Sequence, residues 1–280
     1  MASLKRVFVT GGNNGIGYET VKAFLQSDKP YHVLMGSRSP EKAMLAIETL
    51  HKECPDSTNI VEAVQLDLTS DESIEKAFEQ VKASPGHIDA LINNAGIFPS
   101  TWRPFAPNKL SGATFDIEFL GGRVSLRDSF TKSYDVNVAG PHVLTWRFMP
   151  LLLKSTDPRL IFVTGLSNIT QAAEKYFPTP HQPAGWPKSI DFETIGYRCS
   201  KSALNMLMLD WNHKLKADGV KVWGVGPGLL ATDLGGLREK AVAMGAKHAS
   251  LGGVLLRSVV EGERDGDVGR IVNRDGITQW

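Results

Sequence analysis

The chain has 280 residues, of which 42% are hydrophobic and 22% are charged, as in an ordinary globular protein. Its 31 Lys and Arg nearly balance its 30 Asp and Glu, so the net charge is +1 and no basic excess favours nucleic-acid binding. Its apolar runs are far shorter than the roughly 20 residues of a membrane helix, and its first residues lack a signal-peptide core. We therefore expect a cytoplasmic protein without a membrane span.

Short apolar runs alternate with amphipathic helical patterns along most of the chain. Strands are predicted at 6–10, 32–36, 61–66, 88–92, 160–164, 220–225 and 268–272, and helices at 15–27, 40–53, 71–83, 129–154 and 197–217. The helix at 71–83 has two candidate caps, Thr69 and Ser70. The strands are rich in Val, Ile and Leu without alternation, which is typical of parallel strands buried on both faces. These features predict an α/β fold in one domain over 1–280, a Rossmann-like doubly wound parallel sheet of about seven strands with helices on both faces.

Two inserts interrupt this alternation. Residues 97–128 predict a small β-hairpin that turns at Gly121 and Gly122, and residues 168–196 are rich in proline. Four aromatic residues of the inserts either line a bulky apolar pocket or fasten the inserts to the body: Trp102, Tyr176, Phe177 and Trp186.

A glycine-rich loop follows the first strand and opens a helix. Gly11 permits the sharp turn, Gly15 leaves room for a pyrophosphate, and Gly17 lets the helix pack closely. Asn13, Asn14 and Ile16 complete the loop. Because a helix N-terminus presents free N–H groups and a positive dipole, this segment predicts a dinucleotide site.

The end of the second strand indicates which dinucleotide is bound. The acidic residue that would accept bonds from the ribose of NAD is absent there, and Ser37 and Arg38 stand in its place. A guanidinium pairs well with a 2′-phosphate, with Ser37 and Asn13 as further donors. We therefore expect NADP(H) rather than NAD(H); the alternative is that Arg38 is only a solvated surface charge.

With Asn93-Asn94-Ala95-Gly96 after the fourth strand, the chain resembles the short-chain dehydrogenase/reductase family in its single-domain type. The matching pieces cover residues 5–272 and are Thr10 to Gly17, Asp67 with Leu68, Asn94-Ala95-Gly96, Asn137, Tyr197-x-x-x-Lys201, Pro227-Gly228, Leu230 and Thr232. The resemblance implies an NADP(H)-dependent oxidoreductase that reduces a ketone or aldehyde, or oxidises the alcohol, with these residues around the cofactor. Tyr18 and Lys22 also fit the Tyr-x-x-x-Lys spacing, but they follow the glycine-rich loop, where the family has no catalytic base.

The chemistry explains why tyrosine and lysine stand four residues apart. Residues i and i+4 share one helix face, so Lys201 can lie beside the Tyr197 hydroxyl. An ordinary tyrosine pKa is about 10, and a nearby positive charge would lower it. The resemblance implies that Tyr197 is the acid/base, that Lys201 also holds the nicotinamide ribose, and that Asn137 positions a water in a proton relay.

The serine that orients the substrate in the family departs from the pattern. Its place after the fifth strand falls on Gly165, so Ser167 is the candidate and Thr164 the weaker substitute. After the sixth strand, Leu230 and Thr232 are expected at the nicotinamide, and residues 234–251 form the substrate lid with Gly235 and Gly236 as hinges.

Three hypotheses of function follow. The first is the reductase, with a small-molecule carbonyl or alcohol as partner, bulky and apolar or aromatic. The others are an NADP(H)-binding sensor or scaffold without turnover, and a non-redox enzyme on the same fold. No metal site is expected, because the His and Cys residues lack ligand spacing. Monomer, homodimer and homotetramer all stay open.

Overall fold

The computed structural model describes residues 4–96, 125–165, 168–176, 183–186, 195–234 and 238–280. Within these ranges the strands are β1 (Lys5–Thr10), β2 (Tyr31–Ser37), β3 (Ile60–Gln65), β4 (Ala90–Asn93), β5 (Arg159–Val163), β6 (Lys221–Val225), β7 (Leu230–Ala231), β8 (Lys247–His248), β9 (Ile271–Asn273) and β10 (Gly276–Thr278). The helices are α1 (Gly15–Leu25), α2 (Pro40–Glu53), α3 (Asp71–Ala83), α4 (Leu126–Tyr134), α5 (Gly140–Leu152), α6 (Ile169–Gln171), α7 (Ile195–Leu215), α8 (Arg238–Ala243) and α9 (Ser250–Glu261).

The main sheet confirms the predicted doubly wound α/β fold. Its eight strands in the described chain stand in the order β10-β9-β6-β5-β4-β1-β2-β3. All neighbours are parallel except β9 and β10, which form an antiparallel hairpin at one edge. The parallel strands therefore end at one edge of the sheet, where their following loops meet.

Burial follows position in the sheet. The central strands β4 and β5 are buried along their whole length, as their continuous apolar runs predict. Strand β3 is only partly buried, against the expectation for 61–66, because it lies at the sheet edge. Aromatic and aliphatic side chains fill a core on each face of the sheet.

The helix predicted at 129–154 begins three residues earlier, at Leu126, and is interrupted by a short π-helical segment. Helices α4 and α5 are joined by a π-helical turn, Asp135–Ala139. Because α4 starts at Leu126, the last residues of the predicted insert at 97–128 are helical rather than part of a hairpin. The remaining hairpin residues, 97–124, lie outside the described residues.

Helix α9 is an element that the sequence interpretation missed. A side chain on its Gly253 would overlap the backbone carbonyl of Glu19 in α1, so the glycine permits two helix backbones to touch.

The structure decides between Thr69 and Ser70 as the N-terminal cap of α3. Ser70 Oγ accepts from Ser73 N at 3.2 Å, while Thr69 Oγ1 donates to Asp67 Oδ1 at 2.8 Å.

Candidate active site

The glycine-rich loop packs against the segment that follows β4. Gly11 and Gly15 adopt positive φ angles of 65° and 56°, a region that other residues rarely enter. A Cβ on Gly17 would overlap the carbonyl oxygen of Gly11 and stand 2.6 Å from Asn94 Nδ2. Both the turn and the close packing predicted for the loop are therefore present.

Thr10 and Asn94 bond the two segments together. The Thr10 hydroxyl accepts from the backbone N–H of Asn94 at 2.9 Å and of Ala95 at 2.8 Å. In return, Asn94 Nδ2 donates to the carbonyl of Thr10 at 2.8 Å. These bonds fix the loop after β1 relative to the loop after β4, so Asn94 acts first as a support of the loop.

The N-terminus of α1 is open in a way that suits a phosphate. Asn14 holds the N-cap position with extended backbone, and its side chain makes no capping hydrogen bond. The first N–H groups of a helix have no partner within the helix. Gly15 and Ile16, which carry two of them, are half-buried beside Asn13.

Lys201 and Asn137 meet beside Gly96, and Tyr197 precedes Lys201 by one helical turn. Tyr197 and Lys201 lie one turn apart on α7 and are 8% and 4% exposed, and Lys201 Nζ stands 5.7 Å from the centroid of the tyrosine ring. Asn137 is fully buried in the π-helical turn. A Cβ on Gly96 would meet Asn137 Oδ1 at 3.1 Å and Lys201 Nζ at 3.4 Å, so a side chain there would crowd both polar atoms.

Backbone oxygens and a serine orient these side chains. Lys201 Nζ donates to the carbonyl of Val163, the last residue of β5, at 2.8 Å. Asn137 Nδ2 donates to Ser200 Oγ at 2.9 Å, and that hydroxyl donates to the carbonyl of Tyr197 at 2.7 Å. The sequence interpretation missed Ser200, although it stands three residues after Tyr197 and so shares its helix face.

Burial acts on both titratable groups. It raises the pKa of Tyr197 and lowers the pKa of Lys201 to about 8, because the charged form of each is poorly solvated. The sequence interpretation expected the lysine ammonium, together with the positive nicotinamide of an oxidised cofactor, to favour the phenolate. In the protein alone burial raises the pKa of Tyr197, so the phenol keeps its proton at neutral pH.

The second Tyr-x-x-x-Lys pair has a structural role. Tyr18 OH donates to Glu53 Oε2 at 2.8 Å, and Lys22 Nζ stands 3.0 Å from the same oxygen. The pair thus fastens α1 to the end of α2.

The loop after β5 leaves the position of the substrate-orienting serine to Gly165, whose φ is 149° and whose Cβ direction is open. The Thr164 hydroxyl donates to Asn205 Oδ1 at 2.7 Å, inside the protein. That bond turns it away from a substrate role. Ser167 lies outside the described residues.

The residues expected at the adenosine end lie at the ends of β2 and β3. Arg38 is exposed, and Ser37 is buried with its hydroxyl donating to the carbonyl of Ser39 at 3.1 Å. Asp67 is half-buried and accepts from Thr69, while Leu68 is buried. Arg38 is therefore available to an anion, whereas the Ser37 hydrogen is already bonded.

The loop after β6 reaches back to the glycine-rich loop. Thr232 carbons lie 3.5 Å from a Cβ built on Gly15, and Leu230 is buried. Pro227 is buried and Gly228 has a φ of 84°. A cavity of about 590 Å³ separates this segment and Arg238 from the glycine-rich loop and α2.

The predicted lid, 234–251, contains α8, β8 and the start of α9, and its hinge glycines lie outside the described residues.

Of the four aromatic residues predicted to line a pocket or fasten the inserts, Trp186 has a described side chain. Trp186 is 85% exposed, so it does not pack in the core. Trp102, Phe177 and the side chain of Tyr176 lie outside the described residues.

None of the helices in the described ranges is both long enough and apolar enough to cross a bilayer.

Comparison with known proteins decides the family. The family model described as short chain dehydrogenase matches residues 5–175, more than half of the chain. This chain belongs to the short-chain dehydrogenase/reductase family. It is 43% identical over 237 residues to the short-chain dehydrogenase/reductase tropE of Talaromyces stipitatus, covering 84% of this chain and 82% of that protein. It is 40% identical over 252 residues to eupG of Phoma sp, covering 86% and 84%.

Solved structures agree on the fold. The NADPH-bound carbonyl reductase from chicken fatty liver matches with a TM-score of 0.73 at 24% identity, over 99% of both chains. The carbonyl reductase Sniffer of D. melanogaster also gives 0.73, at 21% identity, over 99% of this chain and 100% of the other. As a member of the short-chain dehydrogenase/reductase family, this protein is an oxidoreductase with a Rossmann-like fold.

Proposed function

We propose that this short-chain dehydrogenase/reductase is an NADP(H)-dependent enzyme that reduces a ketone or aldehyde, or oxidises the corresponding alcohol. The observation that carries the proposal is that Lys201, one helical turn after Tyr197, meets Asn137 beside Gly96, at the sheet edge that also bears the glycine-rich loop. Buried titratable groups such as Tyr197 and Lys201 at the ends of parallel strands are typical of an active site.

The cofactor cradle supports a dinucleotide. At Gly17 a side chain would collide with the loop, and the uncapped start of α1 offers N–H donors to a pyrophosphate. Thr232 faces the loop from the other side. On this proposal the phosphates are held by Asn13 to Gly17. The adenosine side and the middle of the cofactor contact Asp67, Leu68 and Asn94 to Gly96. The nicotinamide contacts Pro227 to Thr232.

The proposed preference for NADP(H) depends on Arg38. Its exposed guanidinium stands at the end of β2, where an acidic residue would repel a 2′-phosphate. The bound NADPH of the chicken carbonyl reductase, which shares the fold, is consistent with this preference.

When bound, the reduced nicotinamide would supply the hydride that adds to the carbonyl carbon. Tyr197 would donate its phenolic proton to the carbonyl oxygen, for which the raised pKa of a buried phenol keeps it in the acid form. Lys201, with a pKa of about 8, would hold the ribose and return a proton to the tyrosine. Asn137 would position the water that connects the lysine to solvent, and Ser167 would orient the substrate oxygen.

The predicted bulky apolar or aromatic substrate stays a proposal based on the insert sequences. A sensor without turnover and a non-redox enzyme are the competing functions. The departure at Gly165 favours the sensor, while the buried proton-carrying groups favour turnover.

The test measures oxidation of NADPH, and separately of NADH, against a panel of aldehydes, ketones and quinones. We expect turnover with NADPH, and Tyr197→Phe should lower kcat by about 10²- to 10⁴-fold while cofactor binding is kept. Tyr18→Phe is the matched control, since its hydroxyl only bonds Glu53, and it should turn over like wild type. Equal losses in both variants would contradict the role of Tyr197, and a preference for NADH would contradict that of Arg38.

A further inference from the structure

A second cavity of about 200 Å³ lies at the ends of β5, β6 and β9. Thr164 and Gly165 form one wall, directly after Val163, the residue whose carbonyl binds Lys201. Gly228 of the proposed nicotinamide loop forms another wall, and the turn between β9 and β10 closes the outer side. The cavity therefore borders two segments of the candidate active site.

The lining of this cavity is mixed, with polar and apolar surface in nearly equal parts. The apolar side chains that border it are those of Pro227 and Ile271. The uncharged polar side chains are Thr164, Asn168, Gln171, Asn273 and Thr278.

The β9–β10 turn is held by its own hydrogen bonds. Asn273 Nδ2 donates to Thr278 Oγ1 at 2.8 Å, and Asn273 Oδ1 accepts from the backbone N–H of Asp275 at 2.8 Å. Thr170 of α6 donates from its backbone N–H to the carbonyl of Trp280 at 3.0 Å and from its hydroxyl to the same oxygen at 2.7 Å. The end of the chain is therefore bonded to α6. Both the nitrogen and the oxygen of the Asn273 amide already have hydrogen-bond partners.

Arg274 is the cation at this cavity. Its Nη2 stands 3.7 Å from a Cβ built on Gly228, so the guanidinium lies over the proposed nicotinamide loop. Among the described residues no carboxylate comes within 4.0 Å of it, whereas nearby Arg264 pairs with Asp267 at 2.8 Å. A planar fork of N–H donors without an acid partner matches the geometry of a carboxylate.

Asp275 is the opposing group on the same lining. It adds a negative charge that weakens the attraction of an anion to Arg274, and it makes no ion pair with that arginine among the described residues. Removing the charge of Arg274 should weaken the binding of an anion, and removing the charge of Asp275 should strengthen it. The two variants must therefore change the affinity in opposite directions.

We propose that Arg274 binds an oxyanion, such as a carboxylate, carried by the carbonyl substrate at the end remote from the reacting carbon. The inference rests on the proposed function, because it specifies the substrate of that site. It narrows the substrate class from apolar ketones to carbonyl compounds with an acidic group.

The test compares 4-carboxybenzaldehyde with its uncharged methyl ester. Turnover with NADPH gives kcat and KM, and calorimetric titration of each compound into protein saturated with NADP⁺ measures binding without turnover. Arg274→Gln removes the charge, Arg274→Lys keeps it without the fork, and Asp275→Asn removes the opposing charge. Arg270→Gln is the matched control, because Arg270 is exposed just before β9 and does not line the cavity.

Arg274→Gln should raise KM and the dissociation constant of the acid about ten-fold or more, with kcat nearly unchanged and the ester affected less than about two-fold. Arg274→Lys should lie between, and Asp275→Asn should tighten binding of the acid. Equal effects on acid and ester, or wild-type behaviour of Arg274→Gln, would overturn the proposal while the reductase function stood. Charge-dependent binding without any turnover would keep the oxyanion site and count against the reductase, and neither binding nor turnover would refute both.

Discussion

Replacing Lys201 by Met should make this protein more stable at neutral pH while removing its activity. The lysine is 4% exposed, and burial lowers its pKa from 10.5 to about 8. Methionine has a similar length and no charge to desolvate, so it should fill the same space.

The magnitude follows from two opposing contributions. Because the unfolded chain binds the proton more tightly than the folded chain does, folding with a charged lysine costs about 3 kcal/mol below pH 8. The variant also loses the bond from Nζ to the carbonyl of Val163, which is worth about 1–2 kcal/mol. Lys201→Met should therefore be about 1–2 kcal/mol more stable at pH 7.

The sign of the pH dependence is fixed by the same reasoning. Between pH 8 and about 10 the unfolded state still binds the proton that the folded state has released, so wild-type stability contributed by this site rises with pH. The advantage of Lys201→Met should then shrink by about 2 kcal/mol from pH 7 to pH 10. Urea unfolding of both proteins across this range measures the difference, and effects of other groups cancel.

Lys22→Met is the matched control from the other Tyr-x-x-x-Lys pair. The hydrogen bond to Glu53 raises the pKa of Lys22, so this lysine stabilises the fold below its pKa and the variant should lose up to about 1 kcal/mol at pH 7. If Lys201→Met is less stable than wild type at pH 7, or if its difference does not change with pH, the argument from burial is wrong.

Three further predictions concern the loop, the relay and an ion-pair network. Gly17→Ala should destabilise the fold by about 1–3 kcal/mol and abolish NADPH binding in a fluorescence titration, because the new carbon overlaps the loop; wild-type affinity would contradict this. Ser200→Ala should lower kcat about ten-fold with KM nearly unchanged, since Asn137 loses its acceptor; unchanged kcat in steady-state assays would exclude that support. Arg159 holds the pKa of Asp265 at about 2, so the stabilising contribution of this carboxylate is complete above pH 4 and is lost toward pH 2. Asp265→Asn should cost about 1–3 kcal/mol at pH 7 and flatten acid unfolding between pH 4 and 2, and unaltered acid unfolding would count against the pair.

Local patterns in the sequence determined the sheet and its order of elements. Non-alternating apolar runs predicted the buried strands β4 and β5, because strands covered on both faces need apolar side chains at every position. The glycine spacing predicted the turn and the close packing at Gly11 and Gly17, since only glycine tolerates both. The four-residue spacing placed Tyr197 and Lys201 on one face of α7.

The tertiary structure alone decided which residues of distant segments meet. The contact of α9 with α1 through Gly253 and the bond from Asn137 Nδ2 to Ser200 Oγ both join parts of the chain far apart in sequence. Burial likewise set the protonation of Tyr197 and Lys201, because desolvation depends on everything packed around a group and not on its neighbours in the chain. Arg274 shows the same limit: nothing in the sequence singled it out, and only the fold carries its turn to the ends of β5 and β6.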